Sequence, residues 1–514
     1  MIRKTFHKFI TLVLAGFLLA ISSEWCTLGT LTQIHPHVFY VAPNGRDTNN
    51  GSHKHPWSTI NHAASVLKAG ETVYIRAGTY RLTAQIQAKN SGTEKAWITY
   101  RAYPKERVII DADAVKVEPP SDKKSHYPHD QGAFLLQNVS YIQVENLEVI
   151  NSHNSGLTVR NSHFINLYNN KTENTFSPGI GVWWGDHYKV MGNTVINAND
   201  LKMADFLNDF SEAPHEAISI GGVENFEVAY NLVKDGKKEG IDVKEKSKYG
   251  TVHHNYIHHM ARQGLYVDSW FGVLEGIEFF NNVVHDCNGA GFALAVEGGS
   301  EAKNIRFHHN LIYDNWGTGI LFARWGNDGL RHNIKIYNNT VHHNGYGKPN
   351  PGESFFWITG GLYLFSDHLQ NVEIKNNIFS KNRGFQIGYS DRYLAANSDI
   401  EKIFSQKDIE ISQNLIFGEN NTTSPIYAGW LPDNYANIYG TNGNAAVREE
   451  PQFVNPEEGN FYLKSPVSNP TPLTANSKTS QMRFGAFTNG EKPDFWWQGK
   501  FPPQFPDLPQ STLH

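Results

Sequence analysis

Along most of the chain, apolar and polar residues alternate over runs of three or four, and turns carrying Asn or Gly separate the runs. Period-two alternation predicts strands, because successive side chains leave opposite faces. One phrase recurs: NLYNN at 166–170, VMGN at 190–193, VAYN at 228–231, VHHN at 252–255 and FFNN at 279–282. It continues as FHHN at 307–310, IYNN at 336–339, IKNN at 374–377 and ISQN at 411–414. From Asn170 the spacings of its last Asn are 23, 38, 24, 27, 28, 29, 38 and 37 residues. A base period in the twenties with occasional insertions predicts coils stacked in a solenoid.

A second ladder, Gly-apolar-x-apolar, keeps step with the first. It reads GLTV (156–159), GIGV (179–182), AISI (217–220), GIDV (240–243), GLYV (264–267), GFAL (291–294), GILF (319–322) and GLYL (361–364). Alternation turns Leu157, Ile180, Ile218, Ile241, Leu265, Phe292, Ile320 and Leu362 inward. The recurrent Asn suits a turn with a left-handed residue, and its side chain can bond along a ladder of its fellows. Leucine-rich repeats would need several fixed Leu positions per period, and these are absent. The predicted fold is therefore all-β, a single-stranded right-handed parallel β-helix.

The ends read differently. Ser58–Leu67 is amphipathic with Ser58 as N-cap, which predicts a helix covering the first coil. Regular coils are expected over about 130–420, followed by an irregular closing segment within a domain of 38–490. Residues 491–514, rich in Pro and aromatics, read as a surface tail. Arg3, Lys4 and Lys8 precede an apolar stretch from Phe9 to Ile21, and Ala20-Ile21-Ser22 offers a small-x-small cleavage pattern. That layout predicts a signal peptide over 1–22 and a secreted (extracellular or periplasmic) protein; an uncleaved anchor is the alternative.

Composition narrows the picture. The 514 residues include 44 Gly, 13% are aromatic, and the formal net charge is -5. No basic stretch points to nucleic acid, and no like-charge run points to a membrane surface. Only Cys26 and Cys287 are present, so disulfides do not hold the fold. A monomer without nucleic-acid or membrane partners after signal cleavage is expected.

Candidate chemistry sits on the outward positions of the Gly-apolar-x-apolar strand. One outward column reads Arg160, Trp183, Gly221, Lys244, Asp268, Ala295 and Ala323; its neighbour reads Thr158, Gly181, Ser219, Asp242, Tyr266, Ala293 and Leu321. Glu216, Glu239 and Gln263 stack at the strand entrances, with Glu297 and Arg324 at the exits. Charges cluster on adjacent coils between small residues that leave room for a sugar chain. β-Elimination from a uronate suits such a knot. The proton at C5 becomes acidic once a cation such as Ca²⁺, held by carboxylates, neutralises the neighbouring carboxylate. Lys244 is the candidate base, and Tyr266 the nearest proton donor. Glu239, Asp242 and, more weakly, Glu216 are candidate ligands, with Asp268 either ligand or catalytic. Arg160, Trp183, Trp270, Glu297 and Arg324 are candidate substrate contacts, the indoles by stacking on sugar rings. The bland reading makes the same charges a solvated strand face with weak cross-strand pairs.

The opening FYVAPNGRDTNNGSHKHPWSTINHAASVLKAGETVYIRAGTYR (39–81) and the closing PQFVNPEEGNFYLKSPVSNP (451–470) and FGAF (484–487) resemble the pectate-lyase-like secreted β-helix proteins. That resemblance implies the fold, secretion and a polysaccharide partner, but not one reaction, since such folds host lyases, hydrolases, epimerases and binding proteins. EGIDVKEKS (239–247) also resembles a motif of the alginate lyase and chondroitinase B group, implying a calcium-binding Glu239 and a catalytic Lys244. It departs from that group where Lys237 replaces a second acid and where Asp268 falls near the position of a catalytic Arg. Three readings stay open: a cation-assisted lyase of an acidic polysaccharide, a glycoside hydrolase using paired carboxylates on adjacent coils, and a non-catalytic glycan-binding rod.

Overall fold

The computed structural model describes residues 38–117, 131–204, 213–346, 359–389, 398–418, 436–438, 449–464 and 485–486. The predicted signal peptide (1–22) and the tail (491–514) lie outside them.

Within these residues the chain is a right-handed parallel β-helix. Each coil contributes up to three short strands, and each strand pairs in parallel with its counterpart one coil on. Two strand columns share one long sheet, and the third column forms a separate 12-stranded sheet. Strand Ile241–Lys244 pairs with Leu265–Asp268 in the register Ile241↔Leu265, Asp242↔Tyr266 and Lys244↔Asp268. Like positions therefore stack on like. Leu157, Ile180, Ile218, Ile241, Leu265, Phe292, Ile320 and Leu362 form one continuous inward column, as the alternation predicts. No member is more than 3% exposed. The other two faces add columns such as Val252, Phe279, Phe307, Ile336 and Val284, Ile312, Val341, Phe379 to the same core.

Polar ladders set the turns. Asn170, Asn193, Asn231, Asn255, Asn282, Asn310, Asn339, Asn377 and Asn414 are hydrogen-bonded Nδ2 to Oδ1 in an unbroken series at 2.9–3.2 Å. Each also serves the backbone: Asn282 Oδ1 accepts from the Asn255 N–H at 3.1 Å, and Asn282 Nδ2 donates to the Val252 carbonyl at 2.9 Å. The left-handed residue is the one before each ladder Asn, such as Tyr230 (φ 57), His254 (φ 53) and Asn281 (φ 53). The ladder Asn is thereby freed to point inward. A second ladder, Asn315, Asn344 and Asn382, was not anticipated. The doubled His residues stack on aromatic neighbours, with ring centroids at 4.6 Å for His253–Phe280 and 4.7 Å for His308–Tyr337.

The first helix, α1 (Ile60–Val66), is capped by Thr59 and not by Ser58, because the hydroxyl that accepts the His62 N–H, at 3.1 Å, is that of Thr59. Parallel pairing already begins at Val38, well before residue 130. A helix that periodicity missed, α2 (Ile400–Lys407), is capped by Asp399 and ends on Asp408 in the left-handed region. The closing segment includes an antiparallel hairpin of Phe453–Asn455 with Asn460–Leu463, packed on Val283, Leu311 and Tyr313. Among the described residues no helix is long and apolar enough to cross a membrane.

Two outcomes follow from these ladders. Asn282→Ala removes a buried acceptor and strands the Asn255 N–H, at a cost of about 2–3 kcal/mol, read as a lower urea midpoint than wild type. Burial holds His254 and His258 neutral, with their pKa values down at about 3. Such groups take up protons on unfolding, so their contribution is full above about pH 6.5 and fades as pH falls towards 3. Melting temperature should therefore drop steadily between about pH 7 and pH 4, and a His258→Gln variant should show a shallower drop.

Candidate active site

The Gly-apolar-x-apolar strands place their outward side chains in the predicted columns: Arg160↔Trp183↔Gly221↔Lys244↔Asp268↔Ala295, beside Gly181↔Ser219↔Asp242↔Tyr266↔Ala293. The Lys244 ammonium lies 3.1 Å from Glu216, 3.4 Å from Asp242 and 3.5 Å from Asp268. This is not the solvated face of the bland reading. Lys244 is 7% exposed, Asp268 4%, Glu216 4% and Asp242 0%. Glu239 and Tyr266 are buried as well.

Five carboxyls share this region, and few cations answer them. Arg262 reaches Glu239 at 3.4 Å. Ser219 donates to Glu216 at 2.5 Å, and the Trp270 indole N–H donates to Asp268 at 2.7 Å. The Tyr266 hydroxyl donates to Glu297. Both oxygens of Asp242, Oε2 of Glu239 and Oδ1 of Asp268 are buried without a hydrogen-bond donor.

Charge competition decides the protonation states. Burial alone would push Glu216 up, but Lys244, with help from Lys238 and His215, holds it down at about 2. Burial raises Asp242 well above the carboxylate range, and Glu216 adds to this. Burial likewise lifts Asp268 to about 8 against the pull of Lys244. Glu245, pushed by burial to about 7, lies at the same coil. For Lys244, burial works against its charge, yet Glu216, Asp242 and Asp268 more than offset it and hold the ammonium protonated. One ammonium thus keeps one carboxylate charged and leaves the others short of positive charge.

The remaining predicted residues divide. Trp270 is 43% exposed and, through Asp268, belongs to the cluster. Glu297 belongs to it through Tyr266. Trp183 is 6% exposed; its ring packs on His215 and lies so close over Gly221 that a Cβ there would meet it at 2.3 Å. It forms a floor, not an open stacking face. Arg160 stands three coils from Lys244 in the same column. Arg324 donates to the Phe365 carbonyl at 2.7 Å and stacks over that ring, which ties it to the wall. Sequence reasoning passed over Arg262, Lys238 and His215. They immediately precede Gln263, Glu239 and Glu216, so a cationic column beside the acidic one was readable.

A family description, "Right handed beta helix region", matches residues 131–301 and 298–400. The chain belongs to that family. A narrower description, "Pel9A-like, right handed beta helix region", matches residues 39–213. Among individual relatives, an uncharacterized protein of Bacillus subtilis, YwoF, is 25% identical over 76% of this chain and 87% of its own length. Pectate lyase L of Dickeya dadantii is 24% identical over 84% of this chain and 96% of its own. Pectate lyase PEL9 of Emericella nidulans is 34% identical over 27% of this chain and 37% of its own. The crystal structure of pectate lyase Pel9A superposes with a TM-score of 0.45 at 15% identity, covering 88% of this chain and 96% of that one.

Removing one partner of a buried ion cluster strands the others. Lys244→Met should lower the melting temperature markedly. Adding Glu216→Gln should restore part of the loss, with a coupling of about 1–3 kcal/mol in the double-mutant cycle; strictly additive losses would mean that the two side chains do not interact.

Proposed function

We propose that the protein is a secreted, cation-assisted lyase that cleaves a uronate-containing polysaccharide by β-elimination. The observation that carries this reading is the buried surplus of carboxylate oxygens around Lys244. Asp242, Glu239 and Asp268 each bury carboxylate oxygens with no donor, and carboxylate oxygen is the donor chemistry of a hard divalent cation. Asp242, Glu239, Asp268 and Glu216 are the residues that would hold Ca²⁺. When bound, such a cation neutralises the substrate carboxylate and so acidifies the proton at C5.

The chain's own residues take the remaining roles. On this reading Lys244, at the centre of the carboxylates, is the base: its ammonium would first release a proton to solvent, which neutralisation of those carboxylates by the cation would favour, and the free amine would then take the C5 proton. Tyr266, kept protonated by burial and hydrogen-bonded to Glu297, is placed to give a proton to the leaving oxygen. Trp270 fixes the Asp268 carboxyl and offers an exposed ring face at the rim. The pectate lyases among the relatives support a uronate polymer as substrate.

One observation favours a second reading, a glycoside hydrolase. Glu216 is held ionised while burial keeps Asp268 protonated up to about 8, and carboxyls pushed apart in this way can serve as base and acid.

The test is ultraviolet absorbance during incubation with polygalacturonate, alginate and chondroitin, with and without a calcium chelator. A lyase gives rising absorbance from the unsaturated uronate, which the chelator abolishes and Lys244→Ala reduces by at least about a thousandfold. New reducing ends without absorbance would replace the lyase by the hydrolase. Full activity of Lys244→Ala would remove Lys244 from the chemistry.

A further inference from the structure

A second cluster lies two coils beyond Asp268, outside the Lys244 group. Asp328 sits in the turn after strand Ile320–Phe322, and Asp367 and His368 sit in the equivalent turn after Leu362–Leu364. Carboxylate oxygens of Asp328 and Asp367 and an imidazole nitrogen of His368 all lie within 4.8 Å of one another. Asp328 is 1% exposed and Asp367 8%, and Oδ2 of the first and Oδ1 of the second have no hydrogen-bond donor. Two buried, unsatisfied carboxylate oxygens therefore point into one space.

The nearby cation hydrogen-bonds the carboxylate of Asp328 and not that of Asp367. Arg331, wholly buried, donates to Asp328 Oδ1 at 2.5 Å and spends other donors on Ser366 Oγ at 3.0 Å and on the Gly329 and Ala323 carbonyls. Lys407 donates to the backbone carbonyl of Asp367, not to its carboxylate. Among the described residues no ion pair reaches the Asp367 side chain. The His368 side chain is half exposed, which leaves a path from solvent and room to close inward. Its Nδ1 already faces the Asp328 carbonyl oxygen.

We propose that Asp328, Asp367 and His368 bind a divalent transition metal of the zinc type, which pins two successive coils together. Two carboxylates and an imidazole suit Zn²⁺ better than Ca²⁺, which takes six to eight oxygens. Ligand atoms around tetrahedral Zn²⁺ stand roughly 3.4 Å apart, so a modest inward shift, mainly of His368, closes the site. The two turns already touch through the Arg331 N–H to the His368 carbonyl at 2.9 Å and the Ser366 N–H to the Phe322 carbonyl at 3.1 Å. An ion there would fasten the join across the long excursion between Asn339 and Asn377.

The test is calorimetric titration of the chelator-stripped full chain with zinc chloride, in saturating calcium so that a calcium-binding group is already filled. One zinc per chain and a rise in melting temperature are expected. His368→Ala and Asp367→Asn should each weaken binding at least about tenfold; they are preferred to changes at Asp328, whose loss would strand Arg331. Circular dichroism of the metal-free variants should match wild type, which separates lost binding from lost folding. Absence of saturable zinc binding by wild type, or equal affinity in both well-folded variants, would overturn the proposal.

Discussion

Parallel stacking at a strand spacing of about 4.8 Å is the constraint on which the rest of this molecule depends. Each side chain must live with its counterpart from the coil above and the coil below. For apolar residues the rule is simple, since stacked Ile, Leu and Phe bury one another and build a core of any length. For Asn it works because the amide carries both donors and an acceptor, so an identical neighbour is an ideal partner. The Asn170–Asn414 series uses this, satisfying turn backbone groups as it goes. For charged residues stacking is hostile, because like falls near like. A run of charge in one column therefore survives only where opposite charge, protonation or a bound ion compensates it.

The Lys244 region meets that demand incompletely. Gly221 precedes Lys244 in its column, and Ala295 follows Asp268, so the charge is confined to two adjacent coils. There one ammonium faces Asp242, Asp268 and, from the preceding coil, Glu216 at 3.1–3.5 Å, all shielded from water. Shielding is what gives the arrangement force. In water such pairs would be worth little, whereas in a buried site the uncompensated carboxyls must gain a proton or a cation. Either response is one that the proposed lyase or the alternative hydrolase would use.

The sequence carried the fold nearly whole, because a solenoid writes its register as a period, and a column such as Leu157 to Leu362 can be read by eye. It carried the membership of the Lys244 cluster too, since Lys244, Asp242 and Asp268 fall on stacked strand positions, and Glu216 and Glu239 lie just before strands of the same stack. It did not carry burial. Outward positions of a strand look solvent-facing in any alternation pattern, and only the neighbouring turns close them off. For the same reason alternation could not decide between a stacking face and packing for Trp183, which packs down over Gly221, where a missing side chain leaves the space. The bond of Arg324 to the Phe365 carbonyl was not legible either, because a column position says nothing of it. Cap identity at Thr59 and the helix Ile400–Lys407 escaped because both depend on local hydrogen bonds and not on period.

The Asp328 cluster extends this logic to the turns. Its residues come from two coils whose sequence separation is stretched by an insertion, so no fixed spacing ties them and no short motif names them. Yet the physical signature repeats that of the Lys244 region: buried carboxylate oxygens in excess of the cations that face them. What differs is the donor set. The first cluster offers only carboxylate oxygens beside Lys244, while the second adds the His368 imidazole beside Arg331. Hardness of the donors thus separates the two sites: an all-oxygen group favours a hard ion of the calcium kind, and a mixed oxygen–nitrogen group a borderline ion of the zinc kind. If both proposals hold, a single rule of stacked coils, applied to different donors, gives one chain two distinct affinities for cations.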